Sequence, residues 1–300
     1  MSAISPQFGR PDAPALSVYD NGGNGLPVIF QHGLCGDAHQ TIEAFPGDPR
    51  FRRITVESRG HGSSEAGDPQ LFSIRTFAAD IAAFIETYQL APVVIGGISM
   101  GAAISLHLAV HRPELVRGLI LVRPAWITES APPNNYPNAL VAQLLSQFGP
   151  EDAREAFEAS ETARQLAEVA PDNLVSLRGF FSREPLTITT ALLQTIAADG
   201  PGVSEADLCQ LKIPTLIAGC DIDYIHPLAY AVKLSQLIPG SQLFQLTPKA
   251  VSKARYLEDL RRAITGFLET SKSCSSSCSC SKGCNLGLQP RTSPDVGTAR

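Results

Sequence analysis

Val93-Val94-Ile95-Gly96-Gly97-Ile98-Ser99-Met100-Gly101-Ala102-Ala103 is the stretch from which the rest of the chain is read. Its first part is an apolar, β-branched run of the kind that forms a parallel strand buried on both faces. Its last part resumes with helix-forming residues, and Ile104, Leu106, Leu108 and Val110 keep the segment apolar. Between them stands the spacing Gly97-x-Ser99-x-Gly101. A serine on a sharp strand-to-helix turn takes a strained backbone conformation, so its neighbours two residues away must be small. Its hydroxyl then projects above a helix N-terminus, where backbone N–H groups favour developing negative charge. The competing reading is a glycine-rich turn with an incidental serine. The strand before it and the helix after it favour the chemical reading.

Composition bounds the rest. Three hundred residues with 44% hydrophobic content suffice for one large α/β domain with an insertion, or for two small domains. A net charge of −5 leaves no basic footprint for nucleic acid or an anionic membrane, so neither is expected as a partner. Apolar runs fall far short of the roughly 20 residues needed to span a bilayer. The start, Met1-Ser2-Ala3-Ile4-Ser5-Pro6, has neither the basic opening nor the apolar core of a secretory signal, and a cytoplasmic location is expected. Of seven cysteines, Cys35, Cys209 and Cys220 are scattered as reduced, mostly buried cysteines usually are.

In chain order, residues 1–15 read as a loose, polar lead-in. Strands are expected over residues 16–19, 27–31, 51–56, 93–98, 115–122, 213–219 and 242–246. A helix capped by Ser73 should run to Gln89 with a core stripe of Phe77, Ile81, Phe84, Ile85 and Tyr88. The alternation predicts a mostly parallel, doubly wound sheet, with the site beyond the carboxyl ends of its strands. Residues 16–126 form the first part of this core and residues 209–270 the second. Between them, residues 127–208 show no strand pattern; Pro-rich punctuation and Ala-rich helices, such as one over 151–170, predict a helical cap. Trp126, Phe148, Phe157, Phe180 and Phe181 are its large apolar residues, some for a pocket and at least half for packing.

His32-Gly33 after an early strand, Arg59-Gly60-His61-Gly62-x-Ser64, the Ser99 turn, a cap after Val122 and an acid loop ending in Pro227 together resemble the α/β-hydrolase superfamily over residues 16–270. The resemblance implies an α/β-hydrolase fold with Ser99 as nucleophile and the N–H groups of Met100 and of Leu34 or a neighbour as oxyanion hole. It also implies an acid in the loop after Gly219. Asp223, four residues before Pro227, is the better match and Asp221 the runner-up. His32, Gly33 and Trp126 are candidate substrate-contacting residues. The activity implied is hydrolysis of a small, partly apolar ester-like compound, and no cofactor is expected.

One family feature is missing. Such proteins carry a histidine between the last strand and last helix, where this chain has Ser252-Lys253, and no histidine follows His226. A serine hydroxyl needs a partner to take its proton. Of the six histidines, His32 and His61 read as structural, His107 and His111 lie on the helix behind the serine, and His39 is peripheral. His226 lies near Asp223 but in the loop that normally supplies only the acid. His226, His61 and Lys253 are therefore the candidate bases. Lys253 would need its pKa lowered from ~10.4 to roughly 7–8, against the pull of a nearby carboxylate, so a Lys253–Asp223 ion pair is expected instead. Two functions remain: an enzyme using Ser99 with a non-standard or missing base, and a non-catalytic small-molecule binder on a degenerate hydrolase fold.

Residues 271–300 contain Cys274, Cys278, Cys280 and Cys284 in a Ser-rich setting with too few apolar residues for a core, which predicts disorder. Four close thiols also suit a soft metal such as Zn²⁺ or Cu⁺. Cys278-Ser279-Cys280 resembles part of the nitrile hydratase metal claw, and the Ser/Cys run resembles precursor peptides cyclised to azoles.

Overall fold

The computed structural model describes residues 4–277, with side chains over residues 7–270. The core opens with β1 (Ile4–Arg10), β2 (Ala13–Asp20), β3 (Leu26–Gln31), α1 (Ala38–Ala44), β4 (Phe51–Val56) and α2 (Ile74–Thr87), followed by β5 (Val93–Ile98), α3 (Met100–His111) and β6 (Val116–Val122). Six helices follow without a strand: α4 (Tyr136–Gln147), α5 (Pro150–Glu158), α6 (Glu161–Val169), α7 (Pro171–Phe180), α8 (Leu186–Ala198) and α9 (Glu205–Gln210). Then come β7 (Thr215–Gly219), α10 (Leu228–Leu237), β8 (Gln242–Gln245) and α11 (Lys253–Ser277).

The strands form one sheet in the order β1-β2-β4-β3-β5-β6-β7-β8. β2 runs antiparallel to both β1 and β4, and every pairing from β4 to β8 is parallel. The apolar runs explain this directly. Along β6, Leu119 and Leu121 enter the core on one face, with α2, α3 and α10, while Ile120 and Val122 enter the other, with α1 and α11. A strand with both faces covered has no polar side, so its sequence reads as a continuous apolar run. The cap has its own small core around Val141, Phe157, Leu166 and Leu177. On α8, Leu192 enters the main core and Leu193 the cap core, which ties the two together.

Several expectations need correction. Residues 4–10 are a strand rather than part of a loose lead-in: Phe8 pairs in register with Leu16 and packs edge-on against Phe84 at 5.4 Å. The helix expected over 151–170 is broken into α5 and α6, because Ser160 caps a new helix by accepting from the N–H of Ala163. α2 ends at Thr87, and Tyr88 is half exposed rather than core. α11 continues past Thr270 to Ser277, inside the segment expected to be disordered. Cys278, Cys280 and Cys284 lie outside the described residues, as does the side chain of Cys274. Among the described residues, no helix is long and apolar enough to cross a membrane.

The β5–α3 junction shows why its glycines are needed. A Cβ on Gly97 would lie 2.6 Å from the Gly101 carbonyl carbon, and one on Gly101 would lie 2.5 Å from the Gln31 carbonyl oxygen. Both contacts are with backbone, which cannot swing aside. Gly101→Ala is expected to lower stability by about 1–3 kcal/mol or more in urea denaturation; a change under about 0.5 kcal/mol would contradict this account of the turn.

Candidate active site

Ser99 caps α3 with φ 56° and ψ −113°, a left-handed conformation unusual for a residue with a side chain. The strain is held from both sides: Ser99 N–H donates to the Val122 carbonyl at 2.9 Å, and its carbonyl accepts from Ala102 and Ala103 at 2.9 and 3.1 Å. The result lifts Oγ off the end of β5 towards the loop after β7. There it meets His226 Nε2 at 2.8 Å. His226 Nδ1 in turn lies 2.9 Å from Asp223 Oδ1. A carboxylate only accepts, so Nδ1 carries the proton and Nε2 is free to accept from the serine hydroxyl.

Asp223 and His226 thus come from one loop, three residues apart. The backbone N–H of His226 also donates to Asp223 Oδ1 at 3.1 Å, which closes the turn. Ile222 enters it at φ 59°, a costly conformation for a β-branched residue that its neighbours must enforce. Two cap asparagines do so. Asn134 Nδ2 donates to the Ile225 carbonyl at 2.6 Å, and Asn173 Oδ1 accepts from the N–H groups of Tyr224 and Ile225 at 2.8 and 3.0 Å.

The other carboxylate oxygen, Asp223 Oδ2, accepts from Arg123 Nε at 2.6 Å, with side chains only 6% and 2% exposed. Burial opposes ionisation of Asp223, but Arg123 and His226 outweigh it and hold the carboxyl well below the usual carboxylate range. Burial lowers the His226 pKa below its ordinary value of 6.5, with Asp223 resisting and Arg123 reinforcing the shift.

A cavity of about 210 Å³ opens in front of Ser99 and His226. Gly33, Leu34, Gln40 and Lys249 line it from the core, and Asn138, Asn173, Leu177 and Phe180 from the cap. Gly33 sits so close that a Cβ on it would stand 3.5 Å from Ser99 Cβ. Its N–H is taken by Gln40 Oε1 at 2.6 Å, and Gly36 N–H closes a turn onto its carbonyl at 3.0 Å, leaving Leu34 at the tip beside the serine. Met100 opens α3, so its N–H has no acceptor within the helix.

Other expected residues are placed elsewhere. Lys253 pairs with Glu43 at 2.7 Å, is 62% exposed, and makes no pair with Asp223; Arg123 holds that position. His61 is buried, with Nδ1 donating to the Arg59 carbonyl at 2.9 Å and its ring tilted against that of His32 at 4.8 Å. His32 is equally buried: Nε2 accepts from Ser58 N–H at 3.1 Å, and desolvation drops its pKa to about 4. It braces the loop from behind and does not line the cavity. Trp126 is also absent from the lining, since its indole N–H donates to the Asp199 carbonyl at 2.8 Å between core and cap. Asp221 accepts from Gln245 at the surface. Sequence reading missed Arg123, Asn173 and Lys249. Only Arg123 left a trace, as a cation placed directly after the apolar run of β6.

This sheet order, with a serine at the β5–α3 turn facing a histidine–aspartate pair under a helical cap, defines an α/β-hydrolase architecture. The chain belongs to that family: the family model described as alpha/beta hydrolase fold matches residues 27–249. It is similar to the putative non-heme bromoperoxidase BpoC of Mycobacterium tuberculosis, with 40% identity over 239 residues covering 76% of this chain and 88% of the relative. It is also similar to the AB hydrolase superfamily protein YisY of Bacillus subtilis, with 31% identity covering 74% and 83%. Among solved structures, a hydrolase from Pseudomonas aeruginosa PA01 superimposes with a TM-score of 0.68 at 17% identity, covering 89% of this chain and 98% of that one.

The Arg123–Asp223 pair makes a direct prediction. Arg123→Met leaves a buried carboxylate without its cation and should cost about 3–5 kcal/mol at pH 7 in urea denaturation. Asp223 titrates below its ordinary 3.8 when folded, so its contribution is present above that pH and is lost as pH falls through the folded value. The gap between wild type and variant should therefore narrow below about pH 4. A gap that widens on acidification would refute the assignment.

Proposed function

We propose that the protein is a serine hydrolase acting on a small carboxylic ester or related acyl compound, with Ser99 as nucleophile, His226 as general base and Asp223 as the acid that orients it. The observation that carries this reading is the hydrogen-bonded run from Ser99 Oγ to His226 Nε2 at 2.8 Å and from His226 Nδ1 to Asp223 Oδ1 at 2.9 Å. His226 Nε2 takes the serine proton as Oγ attacks the acyl carbon. The imidazolium so formed is stabilised by Asp223 and returns the proton to the leaving alcohol. The N–H groups of Met100 and Leu34 receive the oxyanion. Water, activated by the same histidine, then releases the acid. His226 at hydrogen-bond distance from the hydroxyl supports this reading over the ligand-binding alternative.

A fluorophosphonate probe should label the wild type at one site, with labelling abolished in Ser99→Ala. Hydrolysis of a short-chain p-nitrophenyl ester should fall about 10³-fold or more in His226→Ala. It should stay within about twofold in Lys253→Ala, whose ammonium pairs with Glu43. Loss of activity in Lys253→Ala with His226→Ala active would reverse the assignment of the base.

The pH profile gives an independent check. His226 must be neutral to accept the proton, and its pKa lies below 6.5, so the acid limb of kcat/KM should fall below that value. Half-maximal activity above pH 7 would contradict the burial of the base.

A further inference from the structure

Lys249 stands in the loop between β8 and α11 and lines the same cavity as Ser99 and His226. Among the described residues it has no carboxylate within 4.0 Å; its ammonium lies instead 5.2 Å from the centre of the Tyr256 ring. Arg123, the second cation of the lining, is engaged by Asp223 at 2.6 Å and faces Asp172 at 3.8 Å. Among the described residues, no Asp or Glu lines the cavity. Asp172 and Asp223 offset part of the positive charge at Lys249, while Arg123 and Lys253 add to it.

The neutral donors of the lining are also uncommitted. Asn173 is 2% exposed; its Oδ1 is used by Tyr224 and Ile225, and its Nδ2 finds no acceptor among the described residues. Gln40 likewise spends Oε1 on Gly33 and leaves its Nε2 free among those residues. A half-buried ammonium beside a second cation, with amide donors facing the same small space, is a set of groups complementary to an anion. A bound anion satisfies it. The cavity lies below the roughly 300–1,000 Å³ of drug-sized ligand sites, so any compound reaching Ser99 brings the rest of its atoms close to Lys249.

We infer that Lys249 is a specificity-determining residue that selects acyl compounds carrying a carboxylate, so that the substrate is a small anionic ester such as the half-ester of a short dicarboxylic acid. This rests on the hydrolase reading for the chemistry but not for the binding. Burial and the Arg123 charge lower the Lys249 pKa, and an anion seated beside it would restore it.

Binding to Ser99→Ala separates the two. Monoethyl succinate and ethyl levulinate have nearly the same shape and differ in one carboxylate. Calorimetry at pH 7.5 should show monoethyl succinate binding about tenfold or more tightly, as expected for a charge-assisted contact out of bulk water. Lys249→Gln in the same background should bring the two ligands to within about twofold, while Lys249→Arg retains the preference; circular dichroism verifies that each variant is folded. Equal affinities with Lys249 present, no binding of either ligand, or a preference that survives Lys249→Gln would each overturn the inference. Wild-type protein is then assayed for ethanol release from monoethyl succinate. A retained binding preference without release supports the anion site and removes only the hydrolase reading.

Discussion

The contact between Arg123 and Asp223 is the constraint on which the site depends. It joins the end of β6 to the loop after β7, two neighbouring parallel strands, in a place almost closed to water. A carboxylate taken out of water without a cation would protonate, and a protonated Asp223 would no longer be the pure acceptor that fixes the His226 proton on Nδ1. Removing two charges from water is itself expensive. Here the cost is offset because every lone-pair direction used on Asp223 meets a donor: Arg123 Nε on one oxygen, the ring and backbone N–H groups of His226 on the other.

That arrangement lets one short loop supply two groups that the family resemblance would draw from two loops. Strand ends in a parallel sheet lie about 4.8 Å apart, so several loops at the carboxyl edge can reach the same serine. What a neighbouring loop needs is rigidity. Ile222 at positive φ, the clamp from Asn134 and the paired contacts from Asn173 provide it, and both asparagines belong to the cap. The cap therefore roofs the cavity and also holds the His226 loop in place. The loop after β8, relieved of carrying a histidine, presents Lys249 to the cavity instead.

The fold was legible wherever local pattern and final environment agree. Strands buried on both faces show as unbroken apolar runs, and β4 and β5 lie at the residues expected for them. The β5–α3 turn was legible because only glycine fits against the Gln31 carbonyl. Legibility failed where a distant contact decides the outcome. The segment before Pro11 looks too polar for a strand, yet Phe8 finds Phe84 across the sheet edge. Lys253 occupies the sequence position of the family's histidine, but it lies at the first turn of α11, exposed and facing Glu43.

The amino-acid sequence by itself determined the alternating architecture, the helical stretch between β6 and β7 and the strained serine. These follow from hydrophobic periodicity and glycine spacing, which act over a few residues. Only the tertiary structure decided which of several bases meets Ser99, and that Arg123 rather than Lys253 neutralises Asp223. The Ser99–His226 contact joins residues 127 positions apart, and the Arg123–Asp223 contact joins residues 100 apart. A hydrogen bond holds only within a few tenths of an ångström, and nothing in the local pattern of either residue sets such a distance.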